Sequence, residues 1–351
     1  MGYEIDYMAV GEGERCGDAI ALRLGNLNGT RAEQRVMVID GGTKQSGSDL
    51  VQHIRRYYNT DRIDTVVSTH PDSDHISGLT VVLESLAVSQ LLMHRPWEHS
   101  REVRSLLSSG EISHLKISDK LRRSLESACE LEQLAKKLRI PIEEPFAGMG
   151  TPDGSVTILG PSREYYEAMV CDFRGAPGTP TSFLEILQRA AQTGGEIAAR
   201  VLESMAIETL DDCGETSAEN NSSAIVLIRD SGRALLFTGD AGIPALTQAA
   251  DHAISIGVDL GSLVLLDVPH HGSRRNVGPT LLNRIRATTS YISAAPDGEP
   301  KHPSRRVVNA LIRRGSTVYS TRGKVLCHYF NAPNRGWGPA FPLEFSPMVE
   351  D

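Results

Sequence analysis

The sequence lacks any run of eighteen or more apolar residues, so it offers no candidate for a membrane-spanning helix. Its first residues, Met1 to Tyr7, also lack the basic start and the apolar stretch of a secretory signal peptide. The five cysteines are scattered and have no C-x-x-C spacing, which excludes a disulfide framework and a cysteine-based zinc site. We therefore expect no membrane insertion, reduced thiols and a cytoplasmic location.

Positive charge is also scarce, because the net charge of the chain is −8. That balance excludes a chain covered in basic surface for nonspecific nucleic-acid binding, although it permits a local basic groove. No G-x-S-x-G motif is present, so the nucleophile elbow of serine hydrolases is excluded. The 351 residues are enough to bury a large core, as one large domain or two smaller ones.

Side chains that bind metals are concentrated in the stretch S-T-H-P-D-S-D-H. His70, Asp72, Asp74 and His75 directly follow the apolar, β-branched run 63–67, which predicts a buried strand that ends in a tight loop. Carboxylates this close together repel each other, and coordination of a cation removes that repulsion. The alternative is a polar turn in which Asp74 caps the next helix, but a cap needs one such residue and not four.

The same event recurs along the chain, where a segment that predicts a strand ends and a residue capable of binding metal follows it. It happens at Asp40, at Asp240 in T-G-D, at His270 and His271 in P-H-H-G-S, and at His302 in K-H-P-S. In α/β proteins the loops that follow strands converge at one edge of the sheet. Each signal is modest by itself, but together they predict one site assembled from separate strand ends.

The combination of H-x-D-x-D-H with T-G-D, P-H-H-G-S and H-P resembles the metallo-β-lactamase superfamily, and within it the ComEC-type hydrolase domain. The resemblance covers about residues 5–100 and 217–330. It implies an α/β fold, the four-layer αββα sandwich, in which two mixed sheets pack face to face with helices outside. It also implies that the metals lie at one edge of the sandwich.

The resemblance also implies a domain organisation. We expect a single domain over residues 1–351, with a first half at 1–161 and a second half at 217–351. About residues 162–216, between the two halves, depart from the family's pattern, in which this connection is much shorter. We expect them to form a helical insertion or cap beside the active site. The polar, Ala- and Glu-rich composition of this insertion predicts a helix over 182–209.

Two divalent metal ions are implied by the resemblance, with Zn²⁺ and Mn²⁺ as candidates because carboxylates form a large share of the ligands. The implied ligands form two sets and a bridge: His70, Asp72 and either His270 or His271 for one ion; Asp74, His75 and His302 for the other; and Asp240 between them. Asp74, His270 and His271 are also the candidate catalytic residues. The histidine of the 270/271 pair that binds no metal is expected to protonate the leaving group.

Supporting roles are expected for residues around these ligands. Asp40 is expected to orient a metal-binding histidine, although a turn aspartate is the alternative. Asn220 or Ser223 is expected to contact the ligands without binding metal. Basic residues beside the histidines are candidates for binding substrate phosphates: Arg274, Arg275 and Lys301. Ordinary surface cations are the equally weighted alternative for these three.

The function implied by the resemblance is phosphodiester hydrolysis by a phosphodiesterase or nuclease of the ComEC-like branch. Two cations bridged by Asp240 would lower the pKa of a shared water, so that a metal-bridging hydroxide serves as the nucleophile near neutral pH. The expected partners are a phosphodiester substrate, with DNA and RNA as candidates, and a separate protein, while the oligomeric state stays open. The alternatives are a hydrolase of a cyclic nucleotide, a phosphorylcholine ester or a lactone, and an inactive binding module of the same fold.

Overall fold

The computed structural model describes residues 1–11, 16–106, 113–174, 176, 201–298 and 301–350 of the chain. The strands in these ranges are, in chain order, β1 (Gly2–Tyr7), β2 (Ala19–Gly25), β3 (Gln34–Gly41), β4 (Arg62–Ile63), β5 (Thr65–Val67), β6 (Ala87–Val88), β7 (Leu91–Leu92), β8 (Ile142–Glu143), β9 (Val156–Gly160), β10 (Val201–Leu202), β11 (Ile225–Asp230), β12 (Arg233–Phe237), β13 (Leu263–Asp267), β14 (Ala287–Ile292), β15 (Thr317–Ser320), β16 (Leu326–Phe330) and β17 (Met348–Val349).

The α-helices in the same ranges alternate with the strands. They are α1 (Lys44–His53), α2 (Ser73–Ser85), α3 (Ser100–Leu106), α4 (His114–Ser124), α5 (Glu126–Lys137), α6 (Arg163–Val170), α7 (Ala218–Asn221), α8 (Ile243–Ser255), α9 (Pro279–Arg284) and α10 (Arg305–Arg313). Short 3₁₀ turns lie at Arg31–Glu33, Pro96–His99, Leu260–Ser262 and His270–Gly272, and a π-helical turn lies at Ile54–Tyr58. None of the described helices has the length and apolar character needed to cross a membrane.

The larger sheet has the strand order β16-β1-β2-β3-β5-β7-β8. The strands from β16 to β3 in this order are antiparallel to their neighbours, whereas β3, β5, β7 and β8 run parallel. Every residue of β1 and β2 is buried. Burial of consecutive residues, rather than alternate ones, is the pattern of a sheet that is covered on both faces.

The second sheet has the strand order β15-β14-β13-β12-β11-β9. Its β9, β11 and β12 are antiparallel, whereas β12, β13, β14 and β15 run parallel. Parallel neighbours need crossover connections, and α8, α9 and α10 supply them between successive strands of this set. Both sheets are therefore mixed, as the sequence predicts.

Two apolar layers hold the sheets and the helices together. Between the sheets, Ile5 and Tyr7 of the first pack in one buried cluster with Phe237 and Tyr291 of the second, and the rings of Tyr7 and Tyr291 lie 5.1 Å apart. Fully burying each such side chain contributes about 1.5–3 kcal/mol. Helices cover the outer faces, where α2 packs on α1 and β3, and α8 packs on β9. The predicted αββα fold class is confirmed.

The parallel strands determine where the candidate site lies. β3 and β5 of one sheet, and β12, β13 and β14 of the other, all end at the same edge of the sandwich. The ends of these strands and the loops that follow them carry Asp40, which was predicted to orient a ligand, and four predicted ligands: His70, Asp240, His271 and His302. Because the carboxyl ends of parallel strands meet at one edge, residues far apart in sequence come together there.

The structure describes only part of the insertion predicted at about 162–216. The helix predicted over 182–209 lies outside the described residues as far as residue 200. From residue 201 onward this prediction is wrong, because Val201–Leu202 forms β10, which pairs antiparallel with β17. The partner strand comes from the C-terminal tail, so no local sequence pattern reveals the pairing.

Candidate metal centre

The H-x-D-x-D-H segment forms the loop between β5 and α2. The β-branched residues of β5 end at Val67, and α2 begins at Ser73 with Asp72 at its N-cap position. Asp74 lies inside the helix and not at its N-cap, and the Asp72 side chain makes no capping hydrogen bond, so the interpretation in which Asp74 caps the helix lacks support. Asp74 and His75 lie in the first turn of α2, and the loop and this turn hold the four side chains at the end of β5.

Asp40 and Thr69 orient both histidines of this segment. Asp40 Oδ2 accepts hydrogen bonds from His75 Nδ1 at 2.8 Å and from the Thr69 hydroxyl at 2.6 Å. Its Oδ1 accepts from the Thr69 N–H at 2.8 Å, and His70 Nδ1 donates to the Thr69 hydroxyl oxygen at 2.9 Å. Because a carboxylate only accepts, both histidines carry a proton on Nδ1 and direct Nε2 away from Asp40.

Asp240 lies in the T-G-D turn after β12, where these Nε2 atoms point. Its backbone N–H donates to Ser223 Oγ at 3.2 Å. The turn needs glycine before it, since Gly239 has a φ of 50° and a Cβ there would lie 2.9 Å from the Cβ of Thr69. The strand end, the glycine and Ser223 together set the position of the Asp240 carboxylate.

The two carboxylate oxygens of Asp240 divide the surrounding histidines into two sets. Oδ2 lies 3.7 Å from Nε2 of His70 and 3.6 Å from Nε2 of His270. Oδ1 lies 3.6 Å from Nε2 of His75 and 3.9 Å from Nε2 of His271. These distances are too long for hydrogen bonds. Two donors that share a tetrahedral ion at about 2.1 Å lie roughly 3.4 Å apart, so the spacings suit a cation between the donors.

The P-H-H-G-S loop holds both of its histidines in a rare backbone conformation. The φ angles of His270 and His271 are 49° and 56°, in the left-handed region. His270 Nδ1 donates to Asn276 Oδ1 at 2.9 Å, and His271 Nδ1 donates to the Ser293 carbonyl oxygen at 3.1 Å. Such conformations cost roughly 1–3 kcal/mol per residue and cluster at functional sites. Here they turn two adjacent imidazoles toward opposite oxygens of Asp240.

The two other carboxylates of the H-x-D-x-D-H segment join one set each. Asp72 Oδ2 lies 3.8 Å from Nε2 of His70. Asp74, His75 and His271 offer ligand atoms that all lie within 4.8 Å of one another. The first carboxylate therefore extends the set around Asp240 Oδ2, and the second extends the set around Asp240 Oδ1.

His302 lies beside the histidine pair. Its ring centroid is 5.4 Å from that of His270 and 6.0 Å from that of His271. Burial lowers the pKa of His302 to about 4, so the ring is neutral at pH 7 and keeps a lone pair. With His302 included, the structure brings all eight predicted metal ligands to one place.

Several buried atoms of the site have no hydrogen-bond partner within the part of the chain that the structure describes: Nε2 of His70, Nε2 of His75, Oδ1 of Asp240 and Nδ1 of His302. A buried polar atom without a partner costs about 1–3 kcal/mol, so such atoms rarely occur together without a reason. A divalent cation would satisfy them. Imidazole nitrogens mixed with carboxylate oxygens suit Zn²⁺ and Mn²⁺, and the residues present therefore fit a metal centre.

Burial and the carboxylates together set the protonation of the site. Burial alone would lower the pKa of His75, but the carboxylates of Asp240 and Asp40 raise it well above its ordinary value. Burial lowers the pKa of His70 and of His271 well below the ordinary value. Metal binding must therefore displace a proton from His75, and rising pH favours binding.

Thr69, Asn276 and Asp18 belong to the site although the sequence patterns did not predict them. Asn276 Nδ2 donates to the Asp240 carbonyl oxygen at 2.8 Å, so one amide contacts both His270 and the Asp240 backbone. Asn276 ends the S-R-R-N stretch. From the sequence this stretch is interpreted only as a basic cluster, so Asn276 was not singled out.

The carboxylate of Asp18 lies 3.7 Å from Nδ1 of His75 and 3.9 Å from Nδ1 of His271. Burial raises the pKa of Asp18 to about 7. Asp18 directly precedes β2, and β2 runs antiparallel to β3. The start of β2 therefore lies at the edge where β3 ends, and a search of strand starts as well as strand ends would have found this residue.

Arg174 is a further unpredicted neighbour, in the turn after α6. Its Nη2 donates to Asp72 Oδ1, so the two oxygens of Asp72 have different partners. The Arg174 backbone N–H donates to Glu219 Oε1 at 2.8 Å, which anchors the turn. The side chain is half exposed. A single arginine in a polar stretch carries no sequence signal for this contact.

The residues predicted to support the site or to bind substrate have different surroundings. Ser223 contacts Asp240, and Asn220 Nδ2 lies 3.4 Å from His270 Nδ1. Three exposed side chains lie on the loops of the metal-binding histidines: Arg274, Arg275 and Lys301. Their role in substrate binding stays a prediction.

The chain carries a metallo-β-lactamase superfamily domain, since residues 31–162 match the family model described as the metallo-beta-lactamase superfamily. Recombination protein 2 of Haemophilus influenzae is 32% identical over 117 residues, and ComE operon protein 3 of Bacillus subtilis is 26% identical over 119 residues. Each match covers 33% of this chain, but only 14% and 15% of the respective relatives. The chain is thus similar to a small part of two longer proteins.

Two solved structures are also similar to the chain. A CmlA β-hydroxylase is 13% identical, with a TM-score of 0.43, over 93% of this chain and 53% of that one. A diphosphatase of the PhnP family is 11% identical, with a TM-score of 0.38, over 99% of this chain and all of that one.

Proposed function

We propose that the chain is a hydrolase that depends on two divalent metal ions and cleaves phosphodiester bonds. The observation that carries the proposal is the arrangement of four imidazole Nε2 atoms at 3.6–3.9 Å around the two oxygens of Asp240. Divalent ions at such a site supply Lewis acidity, which lowers the pKa of water and stabilises charge on a phosphoryl or acyl oxygen.

In this proposal the protein residues divide between two ions. The first set would be His70, Asp72 and His270 with Asp240 Oδ2, and the second would be Asp74, His75 and His271 with Asp240 Oδ1. His302 remains a proposed ligand, because its neutral imidazole keeps a lone pair for a metal. Since both His270 and His271 are assigned to ions here, neither is left to protonate the leaving group. Asp40 and Asn276 would hold the histidines with Nε2 facing the ions.

A phosphodiester is the proposed substrate because a half-exposed cation lies beside the ligands. The guanidinium of Arg174 uses one Nη2–H on Asp72, and its Nε lies 3.7 Å from Glu219 Oε1. Its Nη1 and the second Nη2–H are the groups that we propose contact phosphate oxygens. More phosphate contacts are proposed for Arg274, Arg275 and Lys301. One relative is named a recombination protein, which favours a nucleic-acid diester over other diesters.

The test is hydrolysis by the full chain loaded separately with Mn²⁺ and with Zn²⁺. The substrates are single-stranded DNA, duplex DNA, RNA, cyclic dinucleotides, bis(p-nitrophenyl) phosphate and a neutral lactone. Asp74→Ala removes a proposed ligand, and Asp119→Ala removes an exposed carboxylate of α4 as the matched control. We expect metal-dependent cleavage of a diester that is lost in Asp74→Ala and kept in Asp119→Ala.

Other outcomes separate the alternatives. Turnover of the small diesters alone would indicate a small-molecule phosphodiesterase and not a nuclease. Turnover of the lactone without any diester would refute the phosphodiester assignment. A chain that binds two ions and hydrolyses none of these substrates would favour a binding module of the same fold.

A further inference from the structure

A cavity of about 950 Å³ runs along the side of the sandwich where β15 and β16 form the outer edges of the two sheets. The C-terminal segment, residues 333–343, crosses over these edges and forms the opposite wall. The volume lies at the upper end of what ligand sites in proteins enclose. No residue of the proposed metal centre lines this cavity, so it is a separate feature of the surface.

The part of the chain that forms this cavity is cationic in an otherwise acidic protein. Three cations line the cavity, Arg322, Lys324 and Arg335, against one carboxylate, Glu4, which is buried and pairs with Arg23 and Arg335. The net charge of the whole chain, in contrast, is −8. An anionic ligand therefore suits this surface better than a cationic one.

Aromatic rings line the same cavity as the cations. Tyr329, Trp337 and Phe341 line the cavity and are 62%, 40% and 85% exposed. Large exposed apolar side chains grouped in this way mark a surface that another molecule covers.

The cationic end of the cavity adjoins the metal centre. Arg322 also lines a second cavity, of about 390 Å³, together with Pro303, the neighbour of the proposed ligand His302. Thr321 N–H donates to the Ile292 carbonyl oxygen at 3.0 Å, which ties the turn before Arg322 to the end of β14. The two cavities share Arg322 and Leu343 and therefore adjoin each other, and Arg305 and Glu344 also line the second. Together they are called the groove, with Pro303 at one end and the aromatic rings at the other.

We propose that this groove binds a single strand of nucleic acid outside the metal centre. Arg322 and Lys324 contact the backbone phosphates, and bases stack on Tyr329, Trp337 and Phe341. A single strand fits the groove because stacking on protein rings requires bases that are not paired in a duplex. The inference deepens the proposed function, since the bound strand would lead to the metals, but the binding itself needs neither metal nor hydrolysis.

The test measures binding by the full-length chain in EDTA, through the fluorescence anisotropy of labelled oligothymidylate and oligouridylate. Phe341→Ala is expected to raise Kd about tenfold, the lower range for one base stacked on one ring. Lys324→Gln is expected to reduce the slope of log K against log salt by about 1. Ile254→Ala on α8, 66% exposed, and Lys120→Gln on α4, also exposed, are matched controls that leave Kd unchanged.

Tryptophan fluorescence gives an independent readout of the same event. The chain has two tryptophans, of which Trp97 is 1% exposed and Trp337 is 40% exposed. A base that stacks on Trp337 quenches its emission, and Trp337→Phe is expected to abolish the quenching while it preserves binding. Quenching that persists in Trp337→Phe would contradict the proposed location.

Three results would overturn the proposal: no binding of either oligonucleotide, binding that Phe341→Ala and Lys324→Gln leave unchanged, or a dimer that Phe341→Ala converts to a monomer. The last would show that a second copy of the chain covers the groove. Hydrolysis of bis(p-nitrophenyl) phosphate is measured on the same variants and is expected to stay unchanged. The two measurements therefore distinguish a failure of the proposed nucleic-acid binding from a failure of the proposed hydrolysis.

Discussion

Asp40 Oδ2 accepts a hydrogen bond from His75 Nδ1 at 2.8 Å, although the two residues are separated by 35 positions in the sequence. Asp40 is the last residue but one of β3, with a φ of 52°, and this left-handed conformation aims its carboxylate at the loop after β5. The contact decides which nitrogen of His75 faces Asp240. Asp40 thus orients a proposed metal ligand.

We predict that Asp40→Asn lowers the affinity for divalent metal about 10- to 100-fold, because the amide no longer holds His75 as firmly in the required tautomer. Competition with a chromogenic chelator measures the affinity. Asp119→Asn, on the exposed face of α4, is the control with the same change of charge. Equal affinities for the two variants would show that Asp40 does not position the ligand.

Asn276 is predicted to stabilise both the fold and the centre. Asn276→Ala leaves His270 Nδ1 and the Asp240 carbonyl oxygen without their buried partner, so the free energy of unfolding should fall by about 1–3 kcal/mol. Urea unfolding of the metal-free chain measures the loss. Asn28→Ala, at an exposed position, should change stability by less than about 0.5 kcal/mol. A loss in Asn276→Ala no larger than in this control would refute the role.

Arg174 is predicted to select anionic substrates. Arg174→Met should raise KM for bis(p-nitrophenyl) phosphate about tenfold, because it removes a charge-assisted contact to phosphate. The KM for a neutral ester such as p-nitrophenyl acetate should stay the same. Arg101→Met, an exposed arginine of α3, is the control. An equal loss on both substrates would mean instead that Arg174 only positions Asp72.

Asp6 makes stability depend on pH through contacts with His53 and Arg335, which are outside the proposed ligand set. Burial alone would raise the pKa of Asp6, but His53 and Arg335 lower it to about 2 from an ordinary 3.8. Since the folded-state pKa is the lower one, the ionised carboxylate stabilises the fold by about 2 kcal/mol above pH 4. That contribution is lost as the pH falls toward 2.

Asp6→Asn should therefore lower the free energy of unfolding by about 2 kcal/mol at pH 7, and the difference from the unaltered chain should narrow between pH 4 and pH 2. Urea unfolding across this range measures both. Asp61→Asn breaks an exposed pair with Arg55 and should cost at most about 1 kcal/mol. A deficit in Asp6→Asn that is the same at every pH would contradict the account.

The fold class was predicted from the resemblance that the H-x-D-x-D-H, T-G-D, P-H-H-G-S and H-P motifs carry, and the strand patterns before these motifs agree with it. Asp240 and His70 follow apolar segments, and a polar, metal-binding residue directly after a buried segment is readable without a structure. The sequence did not predict that both His270 and His271 face Asp240. This arrangement depends on two successive left-handed residues, and neither histidine differs from the other in local pattern.

The sequence patterns also did not predict contacts between distant segments of the chain. Arg174 meets Asp72 across 102 positions, and β10 pairs with a strand of the C-terminal tail. A helix was expected at residues 201–209 because local composition favours it, and tertiary pairing overrode that preference. Such contacts depend on how the whole chain packs, so local periodicity does not predict them.

The central claim is that the histidines and carboxylates around Asp240 hold two divalent ions. The most direct measurement is the metal content per chain by inductively coupled plasma mass spectrometry, after loading with Zn²⁺ or Mn²⁺ and dialysis. The account predicts two ions in the unaltered chain and fewer in Asp240→Asn, because Asp240 would contact both ions. A chain that retains no ion, or an Asp240→Asn variant that retains both, would contradict it.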